Sequence, residues 1–424
     1  MINIPYFYEY KDSLPIQLSL EEIKFLRETI PGNENDAKIN IKPTACKGQF
    51  VLHATSYVGT IKTPNHTITI KPKIGNMNFF KMLLYSEKLL DLPSFENEIE
   101  IEEGEDLVDF MAKLFDESIA PIIQEGIYRN YTSNTEEIPT IRGKLLIVQN
   151  IRNPRISKEK FFCEYDEFSA DILENQILLY CSQLLSELVV DKNVKEKLVQ
   201  TQQFLQKEGV SEKFLDMHHL EQITYQKFNE HYEKILKLCE FILRITWYGD
   251  FLNNEEIPIH GFLYNMNTLF QDFITVALKE QLSNYNVKRE PKDSKLLKNK
   301  PIISDGIPTK SIDATVLKPD IVIKNRTTGK TELVIDTKYK DHDPPAGDYY
   351  QSLAYALTLE CPVLLLLPQF DIRRKEDFEL IQEVDKEVLI SVRTIDLSGD
   401  GDGYIELIKS RLEEIVKPML KIYS

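Results

Sequence analysis

Two short apolar runs constrain the fold of this 424-residue chain most strongly. Each run has an aspartate at the point where it meets polar residues. The first run spans residues 318–323 and contains Asp320, and the second spans residues 332–340 and contains Asp336. A Thr-Gly-Lys turn at residues 328–330 separates them, which is typical of a β-hairpin. The pattern therefore predicts two adjacent strands, each with an acid at its polar end.

The residues around this hairpin predict an α/β domain over residues 256–424. Apolar residues at helical spacing indicate one helix from about residue 266 to residue 282 and another over residues 349–359. The wholly apolar run at residues 363–367 is typical of a buried strand. Together these elements favour a mixed central sheet flanked by helices.

Length and periodicity divide the chain into three expected domains, giving a multidomain α+β and α/β protein. Residues 1–110 contain short β-branched and aromatic runs between turn signals, which predicts a β-rich domain. Residues 111–255 are expected to be mainly helical, because helical spacing dominates stretches such as 171–188 and 233–245. The α/β domain at residues 256–424 completes the chain.

Charge and composition exclude several classes of protein. The chain has 51 basic and 67 acidic residues and a formal net charge of −16, which argues against coating nucleic acid by bulk charge. No apolar stretch reaches the ~18–20 residues that cross a bilayer, and no secretory signal is visible. The five scattered cysteines are expected to be reduced thiols of a cytoplasmic protein. No phosphate-binding loop of the G-x-x-x-x-G-K-[ST] type occurs, so we expect this chain to bind no nucleotide.

The two aspartates are candidate ligands of a divalent cation. Mg²⁺ takes oxygen ligands and keeps several waters, so Asp320 and Asp336 could hold it, with the Thr337 carbonyl as a third ligand. Such an ion neutralises a phosphodiester and lowers the pKa of a bound water, and Mn²⁺ is expected to substitute for it. Lys338 lies on the same strand face as Asp336 and could orient the water or stabilise the transition state. The alternative is an ordinary hairpin with a surface salt bridge between Asp336 and Lys338.

Two further groups of residues favour the catalytic interpretation. Gln351 and Tyr355 lie one helical turn apart, where they could contact phosphate or hold the lysine. A basic segment at residues 288–300 could hold a nucleic-acid backbone, although a solvated loop is the alternative. The candidate backbone contacts are Lys288, Arg289, Lys292 and, from the hairpin, Lys340.

These motifs resemble the PD-(D/E)xK nuclease core in its RecB-like variant. The resemblance rests on Asp320, on the Asp336-Thr337-Lys338 triplet and on the Gln351/Tyr355 pair. Motifs spread over most of the chain also resemble the McrC family, the nuclease subunits of 5-methylcytosine-dependent restriction systems. The motifs that carry this wider resemblance, in chain order, are residues 57–61, 68–74, 142–144 (Arg-Gly-Lys), 165–168, Asn175 and 265–270 (Asn-Met-Asn-Thr-Leu-Phe).

The resemblance implies more than the residues do. It implies a Mg²⁺-dependent DNA endonuclease subunit that acts with McrB, a hexameric AAA+ GTPase carrying the DNA-recognition domain and the motor. The N-terminal part of this chain would engage the ring, and the C-terminal domain would cut double-stranded, methylated DNA.

One departure from the family pattern concerns the first helix of the nuclease domain. After residues 265–270 the family usually has a Glu that can add to the metal site, whereas this chain has Gln271 followed by Asp272. A neutral amide is a poorer ligand for a hard cation. Asp272 points about 100° away around the helix and cannot simply substitute. The departure keeps an alternative open: a catalytically degenerate regulator that binds the ring and stimulates its nucleotide hydrolysis.

Overall fold

The structure is a computed structural model, and sixteen segments of it are described here. They are residues 2–3, 6–28, 39–46, 48–90, 107–152, 160–215, 217–225, 227–248, 259–291, 302–304, 307–309, 317–340, 343–370, 378–384, 386–399 and 403–421. Lys292 and most of the predicted basic segment lie outside these residues. Within them, no helix has both the length and the apolar character needed to cross a membrane.

Short strands dominate the first 90 residues. The strands are β1 (Ile2–Asn3), β2 (Phe7–Tyr8), β3 (Ile16–Gln17), β4 (Ile39–Pro43), β5 (Gln49–Ala54), β6 (Tyr57–Lys62) and β7 (His66–Lys71). The helices are α1 (Leu20–Glu28) and α2 (Asn76–Ser86). Helix α1 starts at a reciprocal capping box, because the Ser19 amide donates to Glu22 Oε2 at 3.0 Å and the Glu22 amide donates to Ser19 Oγ at 3.1 Å.

The middle of the chain is mainly helical. Its helices are α3 (Leu107–Glu125), α4 (Ile147–Arg152), α5 (Leu173–Leu188), α6 (Lys192–Lys207), α7 (Met217–Leu220) and α8 (Glu233–Ile245), with a 3₁₀ turn at Glu230–Tyr232. Its strands are β8 (Asn130–Ile138), β9 (Lys144–Leu145), β10 (Phe161–Ser169) and β11 (Thr246–Tyr248). Helices α5 and α8 confirm the two stretches of helical spacing, and most of the residues of each helix are buried.

The last third of the chain alternates strands and helices. Its strands are β12 (Ile259–Asn265), β13 (Tyr285–Arg289), β14 (Ile302–Ser304), β15 (Ile307–Thr309), β16 (Ile321–Asn325), β17 (Thr331–Thr337), β18 (Val363–Gln369), β19 (Phe378–Val384) and β20 (Lys386–Asp396). Its helices are α9 (Met266–Gln281), α10 (Ala346–Leu359) and α11 (Tyr404–Lys421).

A mixed six-stranded sheet organises this last third, in the order β13-β16-β17-β18-β20-β19. Strands β16 and β17 form the predicted antiparallel hairpin, and β18 pairs in parallel with β17 and with β20. The first hairpin strand begins at Ile321 rather than at the predicted Lys318, since Pro319 has no amide hydrogen to donate to a ladder. Ile321 pairs with Ile335, so the register brings Asp320 beside the end of β17 that carries Asp336.

Smaller sheets complete the strand pairing. One has the order β1-β7-β6-β12-β11, with β2 also on β7, and the others are β8-β10-β9, β3-β5-β4 and β14-β15. Strand β12 therefore joins strands from the start of the chain, although it directly precedes the helix that opens the C-terminal α/β region.

The chain forms two compact units that group residues differently from the three predicted domains. The first unit contains residues 1–59, 63–90 and 263–424, and the second contains residues 60–62 and 91–262. In the first unit, α2 packs against α9 and α11, and the rings of Tyr85 and Phe273 lie 5.4 Å apart between centroids. The division at residues 110 and 255 stays a prediction.

Candidate active site

Asp320 is fixed against the end of its neighbouring strand. It directly precedes β16, and its Oδ2 accepts hydrogen bonds from both the amide and the hydroxyl of Thr337, each at 2.8 Å. Thr337 is the last residue of β17, and its hydroxyl completes this contact with Asp320. The two predicted acids therefore lie at one end of the hairpin.

Asp336 is a fully buried carboxylate with an unsatisfied oxygen. Its Oδ2 lies 2.8 Å from the Lys338 ammonium, whereas its Oδ1 has no hydrogen-bond partner among the described residues. Burial, reinforced by the charge of Asp320 and opposed by Lys338, raises the pKa of Asp336 to about 6. A buried carboxylate that lacks partners is costly, and a bound cation would remove that cost.

Lys338 completes the acid–acid–lysine set. Its Nζ also donates to Gln351 Oε1 at 3.3 Å. Burial disfavours the ammonium, but the charges of Asp336 and Asp320 outweigh it, so the pKa of Lys338 is raised. The lysine therefore stays charged at neutral pH, where it can donate hydrogen bonds but cannot accept a proton.

Gln351 and Tyr355 form a chain of hydrogen bonds behind the lysine. Gln351 Nε2 donates to the Tyr355 hydroxyl at 2.7 Å, and that hydroxyl donates to the Lys318 carbonyl at 2.9 Å. Both side chains come from α10, one turn apart, and Tyr355 is buried. Of the two roles considered for this pair, these contacts favour holding the lysine.

Gln271 and Asp272 of α9, whose part in the metal site the sequence left open, have different contacts in the structure. Gln271 is buried, and its Nε2 lies 3.3 Å from the Asp320 carbonyl oxygen and 3.2 Å from Glu290 Oε1. Asp272 instead lies 2.8 Å from Arg289 Nε through its Oδ1. Gln271 thus contacts the main chain of Asp320, and Asp272 pairs with Arg289 of β13.

The candidate backbone-binding residues differ in their surroundings. Lys288 and Arg289 lie at the end of β13, with Lys288 exposed and Arg289 paired to Asp272. Lys340 forms an ion pair with Asp348 at 2.9 Å and is half-buried. Lys292 lies outside the described residues.

Sequence reasoning missed two residues close to the site. Glu290 lies in no motif, and only the pairing of β13 with β16 brings it beside Asp320, whose carbonyl accepts from the Glu290 amide at 2.8 Å. Glu9 accepts a hydrogen bond at 2.8 Å from the hydroxyl of Tyr339, the residue after Lys338. The pair is 330 positions apart, so no local pattern could have indicated it.

The donor set fits a small divalent cation. In the described part of the chain, no three His, Cys, Asp or Glu side chains are grouped closely enough to hold a metal. Asp320 and Asp336 are therefore the acidic pair, and Asp336 supplies the oxygen that needs a partner. Mg²⁺ suits such a sparse site, because it retains waters and is commonly bound through one or two carboxylates.

Fold and site together define a protein of two compact units, one of which contains a mixed parallel and antiparallel sheet that carries an acid–acid–lysine cluster. A family model for the McrBC 5-methylcytosine restriction system component matches residues 52–367, and the chain belongs to that family. The match confirms the resemblance to McrC that the ordered motifs predicted.

Two known proteins are similar to this chain over much of their length. The type IV methyl-directed restriction enzyme EcoKMcrBC of Escherichia coli strain K12 is 23% identical over 278 residues, covering 63% of this chain and 74% of that protein. One chain of a refined half-complex, from a tetradecameric assembly of Thermococcus gammatolerans McrB AAA+ hexamers with bound McrC, is 17% identical with a TM-score of 0.61. The match covers 98% of this chain and 100% of that one, which shows a shared fold.

Proposed function

We propose that this chain is the Mg²⁺-dependent DNA endonuclease subunit of a modification-dependent, type IV restriction system. The observation that carries the proposal is the acidic end of the β16–β17 hairpin. There Asp336 is fully buried with an unpartnered oxygen, Asp320 is fixed beside it, and the Lys338 ammonium lies 2.8 Å from Asp336. An ordinary surface salt bridge does not account for a carboxylate with 0% exposure.

The chemistry follows from what each group can do. Asp320, Asp336 and the Thr337 carbonyl would hold Mg²⁺, which neutralises phosphodiester charge and makes a bound water more acidic. Lys338 stays protonated and would donate hydrogen bonds to the attacking water or to the phosphate oxygens. Gln351 and Tyr355 would keep its Nζ in place.

DNA would enter along the end of β13, where exposed Lys288 and Arg289 can contact the phosphate backbone. Lys340 would act mainly through its ion pair with Asp348, which fixes the segment after Lys338. The strong net negative charge of the chain suits a subunit that gains most of its DNA affinity from a partner.

Family membership supports the assembly part of the proposal. The structure from Thermococcus gammatolerans contains McrB AAA+ hexamers with bound McrC, and the relative from Escherichia coli is a methyl-directed restriction enzyme. We therefore assign to this chain a hexameric AAA+ GTPase partner of the McrB type and methylated double-stranded DNA as substrate, in the cytoplasm.

A plasmid cleavage assay tests the proposal. This protein and the NTPase encoded beside it would be incubated with GTP or ATP and Mg²⁺, on plasmid that is cytosine-methylated or unmethylated. Cleavage of methylated plasmid only, abolished by EDTA and restored by Mn²⁺, is the expected result. Cleavage of both plasmids would contradict the modification dependence but keep the nuclease. No cleavage with any divalent metal would contradict the nuclease.

Gln271 favours a second candidate, a degenerate nuclease fold that only stimulates the NTPase. An amide donates to the Asp320 carbonyl at 3.3 Å where a carboxylate could have bound the cation. This candidate predicts that the chain raises nucleotide hydrolysis by its partner without cutting either plasmid. Cleavage that disappears in Asp336→Ala would exclude it.

A further inference from the structure

Glu290 lies beside Asp320 without belonging to a recognised motif. It follows β13 directly, and its amide donates to the Asp320 carbonyl at 2.8 Å. The ladder between β13 and β16 ends at the pair Arg289 and Ile321, so Glu290 is the next residue opposite Asp320. A third carboxylate is thus fixed through its backbone to the residue that carries one of the proposed ligands.

The Gln271 amide orients the Glu290 side chain. Its Nε2 lies 3.2 Å from Glu290 Oε1 and 3.3 Å from the Asp320 carbonyl oxygen. An amide nitrogen only donates hydrogen bonds, so it attracts a carboxylate and cannot bind a cation. The buried Gln271 side chain therefore links the Glu290 carboxylate to the main chain of Asp320 through its hydrogen bonds.

Arg289 forms its shorter ion pair with Asp272 and a longer one with Glu290. The Arg289 Nε is 2.8 Å from Asp272, whereas its Nη2 is 3.7 Å from Glu290 Oε1. The Glu290 side chain is 54% exposed. A water bound to an ion could therefore reach this carboxylate.

The buried side of the site gives an independent indication that a cation binds there. Asp336 is fully buried, and its Oδ1 has no hydrogen-bond partner in the part of the chain that the structure describes. The charge of Asp320 also acts on this carboxylate. The need for positive charge here does not depend on Glu290.

We propose that Glu290 does not bind the cation directly, which leaves Asp320 and Asp336 as the acidic pair, and that it accepts hydrogen bonds from water bound to the cation. Gln271 is its positioning residue, so this chain supplies from the end of β13 the carboxylate that α9 does not. Mg²⁺ favours this arrangement because it retains waters that neighbouring carboxylates can bind. The inference rests on the proposed function, since it takes Asp320 and Asp336 as ligands.

Metal titration of the full chain tests the role of Glu290 without relying on cleavage. Isothermal titration with Mn²⁺ would compare the natural protein, Glu290→Gln and Glu414→Gln, the last removing an exposed charge on α11. Carboxylates that bind ligands of a metal typically contribute ~10–100-fold in affinity, so we expect at least tenfold weaker binding for Glu290→Gln. Glu414→Gln should bind as the natural protein does. Equal binding by all three would overturn the inference.

Exchanging the two side chains tests whether positions 271 and 290 face one cation. The double variant Gln271→Glu/Glu290→Gln keeps the net charge and should bind Mn²⁺ at least tenfold more tightly than Glu290→Gln alone. Equal weakness of the two variants would overturn the inference. Failure of the natural protein to bind Mn²⁺ would instead overturn the proposed function, and the inference with it. Thermal unfolding of each variant would establish that it is folded.

Discussion

Among the described residues, the buried carboxylate of Asp336 is the group that most clearly needs a bound cation. A carboxylate with no exposed surface, one unpartnered oxygen and a second acid beside it is unfavourable for folding in the absence of a cation. Such a group lowers the stability of the fold, and it is retained where the activity of the protein requires it. The stability that the fold loses by burying this charge can be measured through the pH dependence of unfolding.

The variant Asp336→Asn should be more stable than the natural protein at neutral pH without metal. The folded-state pKa of Asp336 is raised to about 6 from its ordinary value of 3.8. Below both values the folded and unfolded states are equally protonated. As pH rises between them, only the unfolded state ionises, so folding loses stability until about pH 6. The loss is on the order of 2–3 kcal/mol, and Asn avoids it.

Urea denaturation in EDTA, at pH 7.5 and at pH 4.5, measures this effect. The advantage of Asp336→Asn should be largest at pH 7.5 and shrink toward pH 4.5, while Glu414→Gln should show neither change. An Asn variant that is less stable than the natural protein at pH 7.5 would contradict the account of the buried charge.

Among the elements, the Arg142-Gly143-Lys144 turn has a packing role that the sequence did not show. Gly143 has φ +66°, and a Cβ there would lie 2.4 Å from the Glu164 carbonyl oxygen of β10. The Arg142 guanidinium lies over the Tyr165 ring, with its Cζ 4.2 Å from the centroid. Lys144 lies 3.2 Å from Glu164, so all three residues attach the turn to one strand.

Gly143→Ala should therefore destabilise its compact unit more than an alanine at a comparable open position. Gly126 is the matched control, because it has φ +94° but nothing within 4 Å of an added Cβ. The left-handed backbone alone costs Ala about 1–2 kcal/mol, whereas Gly143→Ala adds a backbone clash. Chemical denaturation should show at least twice the loss for Gly143→Ala, and equal losses would contradict the packing role.

Local elements were predictable from the sequence, and pairings between distant segments were not. The β16–β17 hairpin follows from a Gly turn between two apolar runs, and the Gln351–Tyr355 contact follows from their spacing on a helix. Glu290 reaches Asp320 only because β13 adds to the edge of that hairpin. No local pattern specifies which strand pairs at a sheet edge, since that choice depends on how whole segments pack.

At the scale of the molecule, the N-terminal residues belong to the same compact unit as the proposed catalytic sheet. The Tyr10 hydroxyl donates to the Tyr339 carbonyl at 2.9 Å, and the Met266 amide donates to the Ser56 carbonyl at 2.8 Å. Helix α2 supplies buried apolar side chains against α9. Residues 256–424 alone would expose these surfaces.

We expect a fragment of residues 256–424 to lack a cooperative unfolding transition. Removing α2 and the first strands leaves apolar faces of α9 and α11 in water, and burial of such faces is the main stabilising contribution. Thermal unfolding followed by circular dichroism, compared with that of the whole chain, measures this. A sharp transition in the fragment would instead support the predicted domain boundary at residue 255.

The most direct test of the central claim measures cutting and nucleotide hydrolysis in one reaction with the NTPase partner. The proteins compared would be the natural chain, Lys338→Ala and Lys330→Ala, the last removing an exposed lysine at the turn of the same hairpin. We expect Lys338→Ala to cut about 100- to 1,000-fold more slowly, by analogy with the loss of one donor to transition-state charge. Stimulation of hydrolysis and cutting by Lys330→Ala should be unchanged. Undiminished cutting by Lys338→Ala would contradict the account.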